Sequence, residues 1–221
     1  MIQAQRIGLM GGSFDPPHHG HLRAALEAVE ALRLDRLLFI PTGAHPFKGE
    51  SQRMPPQHRL AMTRLAIADE PRFDVSDIEI QRAGTAYTID TLRDLSQQFP
   101  ADELILLLGA DLLGELHLWK DWRELLEYAH LCVMNRPGYD ARPACSLASG
   151  VLLKHQAPPD GEPIPDYDDQ YFYGALTIRD LEISSTDLRQ RLRQGRSIRY
   201  FTPEPVIAYI QEHGLYGQAT Q

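Results

Sequence analysis

A Rossmann-like α/β fold is expected from three observations: a doubly wound parallel sheet with a small helical C-terminal portion. Short apolar runs alternate with stretches of helical periodicity along much of the chain. One run, Leu104 to Leu108, is apolar at every position, as a strand buried on both faces must be. The first run, Arg6 to Met10, ends at Gly11-Gly12 and leads straight into a helical pattern, the strand, tight loop and helix of a βαβ unit.

The elements follow in order. Beyond the strand at Arg6 to Met10, Leu22, Ala25, Leu26, Val29 and Leu32 recur at three- and four-residue steps and mark one helix face between His19 and Leu32. Leu37 to Ile40 is a second strand, ended by Pro41. Thr42 to Pro56, rich in Gly, Pro and charge, is a loop. Gln57 to Ala68 reads as a helix, and Phe73 to Ile80 contains a strand. Thr88 to Phe99 is a helix with Ile89, Leu92 and Leu95 inward. Leu104 to Leu108 is the fourth strand, Trp122 to Tyr128 is helical, and Leu131 to Met134 is the fifth strand. Pro137 to Asp169 reads as loops with a short helix near Leu147 to His155. Tyr171 to Ile178 is a further strand or hairpin, and Ser185 to Arg193 and Pro203 to His213 are helices. A single domain over 1–221 is expected, its helical portion starting near residue 183.

Composition narrows the class. The chain has 221 residues, 43% of them hydrophobic and 24% charged, which suits one globular core. A formal net charge of -8 argues against bulk attraction to nucleic acid or to an anionic membrane surface. Local N–H groups and a few cations can still hold phosphates. Two cysteines, Cys132 in an apolar run and Cys145 in a Pro-rich stretch, form no CxxC pair and make a disulfide scaffold improbable. No basic segment followed by a long apolar stretch opens the chain, and no apolar run is long enough to span a bilayer, so a cytoplasmic protein is expected.

In an open α/β sheet, ligands sit beyond the carboxyl ends of the strands. The string there is Gly11-Gly12-Ser13-Phe14-Asp15-Pro16-Pro17-His18-His19-Gly20-His21. The glycines allow a sharp turn with bare N–H groups, and the helix start beyond His18 offers unpaired donors and a positive dipole end. His18 and His21 share one side of the first turn, and Gly20 leaves room beside them. A metal-binding pair, a pH-tuned loop and a helix cap at Asp15 are the alternative readings. Agreement of glycines, strand-to-helix context and His pair favours a phosphate site.

A second string, Ile183-Ser184-Ser185-Thr186-Asp187-Leu188-Arg189, opens another helix. Ser184 and Asp187 resemble a capping box, and two hydroxyls with an Arg a turn later describe an anion cradle. Alone it reads as an ordinary capped helix; beside the first motif it reads as part of a phosphate site.

Together the two strings resemble the HxGH nucleotidyltransferase family, and within it the bacterial nicotinate-mononucleotide adenylyltransferases. The resemblance implies adenylyl transfer from ATP to nicotinate mononucleotide in NAD biosynthesis, with no covalent intermediate. It implies that His18 and His21 hold the ATP phosphates and stabilise the transition state, and that Ser185, Thr186 and Arg189 close over the phosphates. Gly11, Gly12, Ser13, Phe14, Gly20 and Ile183 join them around ATP. Mg²⁺ would arrive on the ATP phosphates, with no protein metal ligands.

Three more segments take roles. Gly109-Ala110-Asp111 ends the fourth strand, where Asp111 can accept ribose hydroxyl bonds; the family places the ATP ribose there. Gly84, Thr85 and the backbone near Tyr87 can hold a small carboxylate, or can simply start a helix with Thr85 or Thr88 as cap. The resemblance implies an acceptor loop of Thr85, Ala86 and Tyr87. Trp119 and Trp122 offer rings for stacking or for the core; Trp119 stands at the family's nicotinate-stacking position and Trp122 reads as core. Lys48, ordinarily a solvated loop residue, matches a family cation that reaches the triphosphate. The sequence departs from the family just before it, with His45-Pro46-Phe47-Lys48. Arg136, after the fifth strand, is a candidate phosphate contact on the acceptor side.

Rival readings are a nicotinamide-mononucleotide or phosphopantetheine adenylyltransferase, and a non-catalytic nucleotide sensor. A sensor should lack the His pair or carry an added interaction domain. A class I aminoacyl-tRNA synthetase fragment fits poorly, given the acidic charge and the missing KMSKS-like loop.

Overall fold

A computed structural model describes residues 4–43, 53–82, 84–135, 173–177 and 181–217. Six strands form one sheet in the order β3-β2-β1-β4-β5-β6. They are β1 Arg6–Gly12, β2 Arg36–Pro41, β3 Phe73–Val75, β4 Glu103–Gly109, β5 His130–Asn135 and β6 Tyr173–Thr177. The pairs β1 with β4, β4 with β5 and β5 with β6 are parallel, with Leu9 opposite Leu106 and Leu107 opposite Cys132. Strand β6 is thus a sheet strand of its own and not half of a hairpin. This order reverses beside β1, the arrangement of doubly wound folds that bind ligands at the strands' carboxyl ends.

Helices α1 His19–Ala31, α2 Pro56–Ile67, α3 Ile78–Gln81, α4 Thr88–Gln98, α5 Ser185–Arg193 and α6 Glu204–Glu212 complete the described elements, with 3₁₀ turns at Ala110–Leu118, Trp122–Glu127 and Leu215–Gly217. The segment expected to contain the third strand divides at Ser76. Phe73–Val75 pairs in the sheet, whereas Ile78–Gln81 turns into α3. The Trp122 segment is helical as expected, in the tighter 3₁₀ form. The short helix expected near Leu147 to His155 lies outside the described residues.

The chain divides into two compact units. The first holds Met1–Met10, Leu26–Leu37 and Tyr87–Asp180. Its core is the apolar ladder of β4 and β5, with Leu104 to Leu108 and Leu131 to Met134 all buried. Helix α4 buries Ile89, Leu92 and Leu95, the inward face its periodicity predicts, and packs on the Trp122–Glu127 turn. Gly8 packs closely here: a Cβ would stand 2.5 Å from the Leu34 Cδ1 methyl, which would have to move. Cys132 lies inside this core; burial pushes its thiol up to about 12, which makes it an inert apolar filler.

The second unit holds Gly11–Ala25, Leu38–Ala86 and Leu181–Gln221. Phe14, Phe39 and Phe73 form a run of tilted ring contacts at its centre, and α2 packs on α6. Helix α5 starts as its sequence requires: the Ser184 hydroxyl accepts the Asp187 N–H at 3.1 Å. Removing that cap by Ser184→Ala should cost about 1 kcal/mol. Denaturant titration measures it, and an unshifted midpoint would mean that water replaces the hydroxyl. No described helix is long and apolar enough to cross a membrane.

Candidate active site

In the second unit, β1 ends and the chain turns through residues 13–18 before α1 begins. Phe14 sits at φ 47, a conformation a bulky residue adopts only when packing compensates. Its ring is 1% exposed, tilted against Phe39 and edge-on to His21 at 5.1 Å. Gly12 makes this possible, because a Cβ there would lie 2.8 Å from the Phe14 ring.

His18 and His21 come together as their spacing predicts. Their rings stack with centroids 3.6 Å apart. The His18 backbone N–H donates to His21 Nδ1 at 3.2 Å. An accepting Nδ1 carries no proton, so the neutral His21 ring holds its proton on Nε2 and can donate from there. Gly20 is needed for a reason the sequence did not reveal: a Cβ would press on the His18 ring at 3.0 Å.

The main chain of Asp15-Pro16-Pro17 is anchored through its carbonyls, since neither proline has an N–H to give. Arg189 Nη1 donates to the Asp15 carbonyl at 2.7 Å. The Ser185 hydroxyl donates to the Pro16 carbonyl at 2.8 Å, and the Thr202 hydroxyl to the Pro17 carbonyl at 2.7 Å. Arg189 Nη2 also meets the Thr186 hydroxyl at 3.1 Å. Ser185 and Arg189 therefore already bind the main chain of the loop that carries His18.

Asp15 is not a helix cap. Its carboxylate is 1% exposed and lies at the centre of a charged cluster. Oδ1 accepts from the Tyr216 hydroxyl at 2.5 Å, and Oδ2 accepts from the Met54 N–H at 3.3 Å. Burial first, and the carboxylate next, push the Tyr216 hydroxyl far above its ordinary range. Arg189 Nη1 stands 3.8 Å from Oδ2. Arg53 and Arg59 feel the same charge, and burial lowers both of them. Arg189 thus stands beside the Asp15 carboxylate, and Arg53 and Arg59 feel its charge, Arg59 together with that of Glu79.

Arg59 was missed by sequence reasoning, which placed it on an ordinary helix. It is 2% exposed. Its fork donates to the carbonyls of Met54 at 3.0 Å, Ser13 at 2.8 Å and Thr42 at 2.5 Å. It ties the end of β2 and the entry to α2 to the loop of the His pair. Arg53 and Tyr216 were missed as well, and no local pattern marks them.

The first unit holds the other expected residues. Asp111 opens a 3₁₀ turn after β4, exposed, with Oδ1 folded back over Gly109, where a Cβ would meet it at 2.5 Å. Tyr87 is the N-cap residue of α4 and makes no side-chain cap bond, so neither Thr85 nor Thr88 caps this helix. Lys120 Nζ stands 4.9 Å over the Tyr87 ring and forks onto both Asp90 oxygens at 2.9 and 3.1 Å. Trp119, adjacent to that lysine, is half-buried. Trp122 is half-buried too, with the Arg123 guanidinium 4.5 Å over its ring, so it is not the core residue expected. In the second unit, Thr85 is exposed and Ala86 half-buried, while Gly11 has open space where a side chain would stand. Lys48, His45, Arg136 and Cys145 lie outside the described residues.

Comparison with known proteins decides the family. The model of the cytidylyltransferase-like family matches residues 9–191. The chain belongs to that family. Within it the chain groups with nicotinate-nucleotide adenylyltransferases, as the two motif strings led one to expect. A relative from Roseiflexus sp. (strain RS-1) named "Probable nicotinate-nucleotide adenylyltransferase" is 47% identical over 95% of this chain and 97% of its own length. One of the same name from Thermus thermophilus is 43% identical over 96% of this chain and 99% of its own. Among solved structures, Plasmodium falciparum nicotinic acid mononucleotide adenylyltransferase complexed with NaAD superposes with a TM-score of 0.73. It covers 98% of this chain and 100% of its own, at 18% identity, and shows the shared α/β fold. As a member of this cytidylyltransferase-like family, the chain is a nucleotidyltransferase.

Proposed function

We propose that the chain transfers the adenylyl group of ATP to nicotinate mononucleotide, giving nicotinate adenine dinucleotide and pyrophosphate. The observation that carries the reading is the stacked His18–His21 pair at the start of α1, with the ring of His21 held as a donor from Nε2. Relatives of that activity, alike over almost the whole chain, support it.

The reaction is an in-line displacement. An oxygen of the acceptor's 5′-phosphate bonds to the α-phosphorus as the bond to the bridging oxygen of pyrophosphate breaks. Little covalent work falls to side chains, so catalysis is positioning and charge stabilisation. His18 and His21 would donate to the phosphate oxygens where charge develops, with Lys48 and Arg189 as cations. Gly11, Gly12, Ser13, Phe14, Gly20, Ile183, Ser185 and Thr186 would line the nucleotide, and Gly109 and Asp111 its ribose.

We assign the acceptor to Thr85, Ala86, Tyr87, Trp119 and Arg136. The main-chain N–H groups at the start of α4 would favour a carboxylate there, and Asp90 in its first turn would repel one. Lys120 and Arg93 pair with Asp90 and offset part of that repulsion, which supports the acid reading. The metal we propose is Mg²⁺. It would be carried on the ATP triphosphate, where a small hard cation keeps oxygen ligands. That ion would supply positive charge to offset the charge that develops on the phosphates.

The test is pyrophosphate release with ATP·Mg²⁺ and three acceptors in parallel: nicotinate mononucleotide, nicotinamide mononucleotide and phosphopantetheine. Turnover with the nicotinate acid far above the others is expected. Preference for another acceptor would overturn the assignment of Thr85, Tyr87 and Trp119. ATP binding without turnover would favour the sensor reading.

A further inference from the structure

We propose that the turn Ile198–Thr202, which belongs to neither phosphate motif, is a clamp that positions His18, with Thr202 its principal residue. The residues on either side of His18 are bonded to two adjacent residues of this turn. The Pro17 carbonyl accepts from the Thr202 hydroxyl at 2.7 Å, and the His19 N–H donates to the Phe201 carbonyl at 2.9 Å. The N–H of His18 itself is spent on His21 Nδ1. Both imidazoles are therefore set by where the main chain of 17–19 is held.

The bracket is built to resist movement. Pro17 has no N–H, so its carbonyl is its one polar main-chain anchor, and the Thr202 bond to it is buried. Thr202 is 2% exposed. The turn is braced by Phe201 N–H to the Ile198 carbonyl at 3.1 Å and by Arg191, whose Nε and Nη2 reach the Ser197 carbonyl at 3.1 and 2.9 Å. The Arg191 guanidinium also lies 4.7 Å over the Phe201 ring. Thr202 touches neither imidazole, so it is a positioning residue: it acts through Pro17 on His18, and through the His18 N–H on the tautomer of His21.

The kinetic half of this inference rests on the adenylyl-transfer reading; the spectroscopic half does not. Thr202→Val replaces the hydroxyl by a methyl of similar size and leaves the Pro17 carbonyl without its donor. It should lower kcat by about 10- to 100-fold, since a misplacement of about 1 Å at the reacting groups can cost about 10²-fold, with KM for both substrates within about twofold. Thr202→Ser, which keeps the hydroxyl, should restore most of kcat. Nitrogen-15 NMR of the imidazoles should show His21 of the unsubstituted protein with its proton on Nε2, and Thr202→Val should shift it towards a mixture of tautomers. A folded Thr202→Val protein with unchanged kcat and unchanged tautomer would reduce Thr202 to a structural bond and overturn the proposal. So would an Nδ1-protonated His21 in the unsubstituted protein, whatever the variants do. Should the unsubstituted protein turn over no acceptor, adenylyl transfer falls while the NMR comparison still judges the clamp.

Discussion

His21→Ala should lower kcat by about 10²- to 10³-fold, the cost of removing one preorganised donor from a developing oxyanion. In the structure the His21 ring has a second task, accepting the His18 N–H at 3.2 Å. The variant therefore also frees the main chain beneath the His18 ring. KM for the acceptor should move only a few-fold, because on the proposed assignment neither group touches the nicotinate ring. Steady-state pyrophosphate release at saturating ATP·Mg²⁺ makes the separation. An unchanged kcat would remove His21 from the chemistry, and a rise confined to KM for ATP would make it a ground-state binding residue.

Arg59→Met should destabilise the fold by about 3–5 kcal/mol. The three carbonyls that Arg59 serves come from separate segments, and the buried charge faces Asp15. Methionine has a similar length and no donors, so the loss reports the hydrogen bonds more than the volume. Arg59→Lys should recover only part, because one ammonium cannot reproduce a planar fork aimed at three acceptors. Chemical denaturation of the three proteins tests this. A loss under about 1 kcal/mol for the methionine variant would mean that water satisfies the carbonyls and that Arg59 is dispensable to the loop.

The sheet was legible because its central strands are apolar on both faces, Leu104 to Leu108 most of all. Helix α4 was legible because Ile89, Leu92 and Leu95 keep one face. The 3₁₀ turn at Ala110–Leu118 was not, since its apolar residues follow no single period. At the site, the glycines and the His spacing pointed to His18 and His21 directly. The partners that hold them did not show, for a physical reason. Arg59, Thr202 and Tyr216 are polar side chains buried by long-range geometry, and in a linear string each looks like an ordinary surface residue. Ser185 and Arg189 were read as nucleotide ligands from their motif; the structure adds their bonds to the carbonyls of Pro16 and Asp15.

The anchors of residues 15–17 have a consequence for the order in which the molecule is made. Apart from the Met54 N–H, they are supplied by residues 169, 174, 185 and 201 positions further along the chain. A nascent chain emerges from its amino end, so the loop that carries the His pair is synthesised early and completed late. Until Tyr216 has left the ribosome, Asp15 lacks its phenolic donor; before Thr202, Arg189 and Ser185 emerge, the three carbonyls lack theirs. A chain ended between β6 and α5 would thus have its strands made and the loop of the His pair without these anchors. ATP would meet a working enzyme only after translation has passed Tyr216.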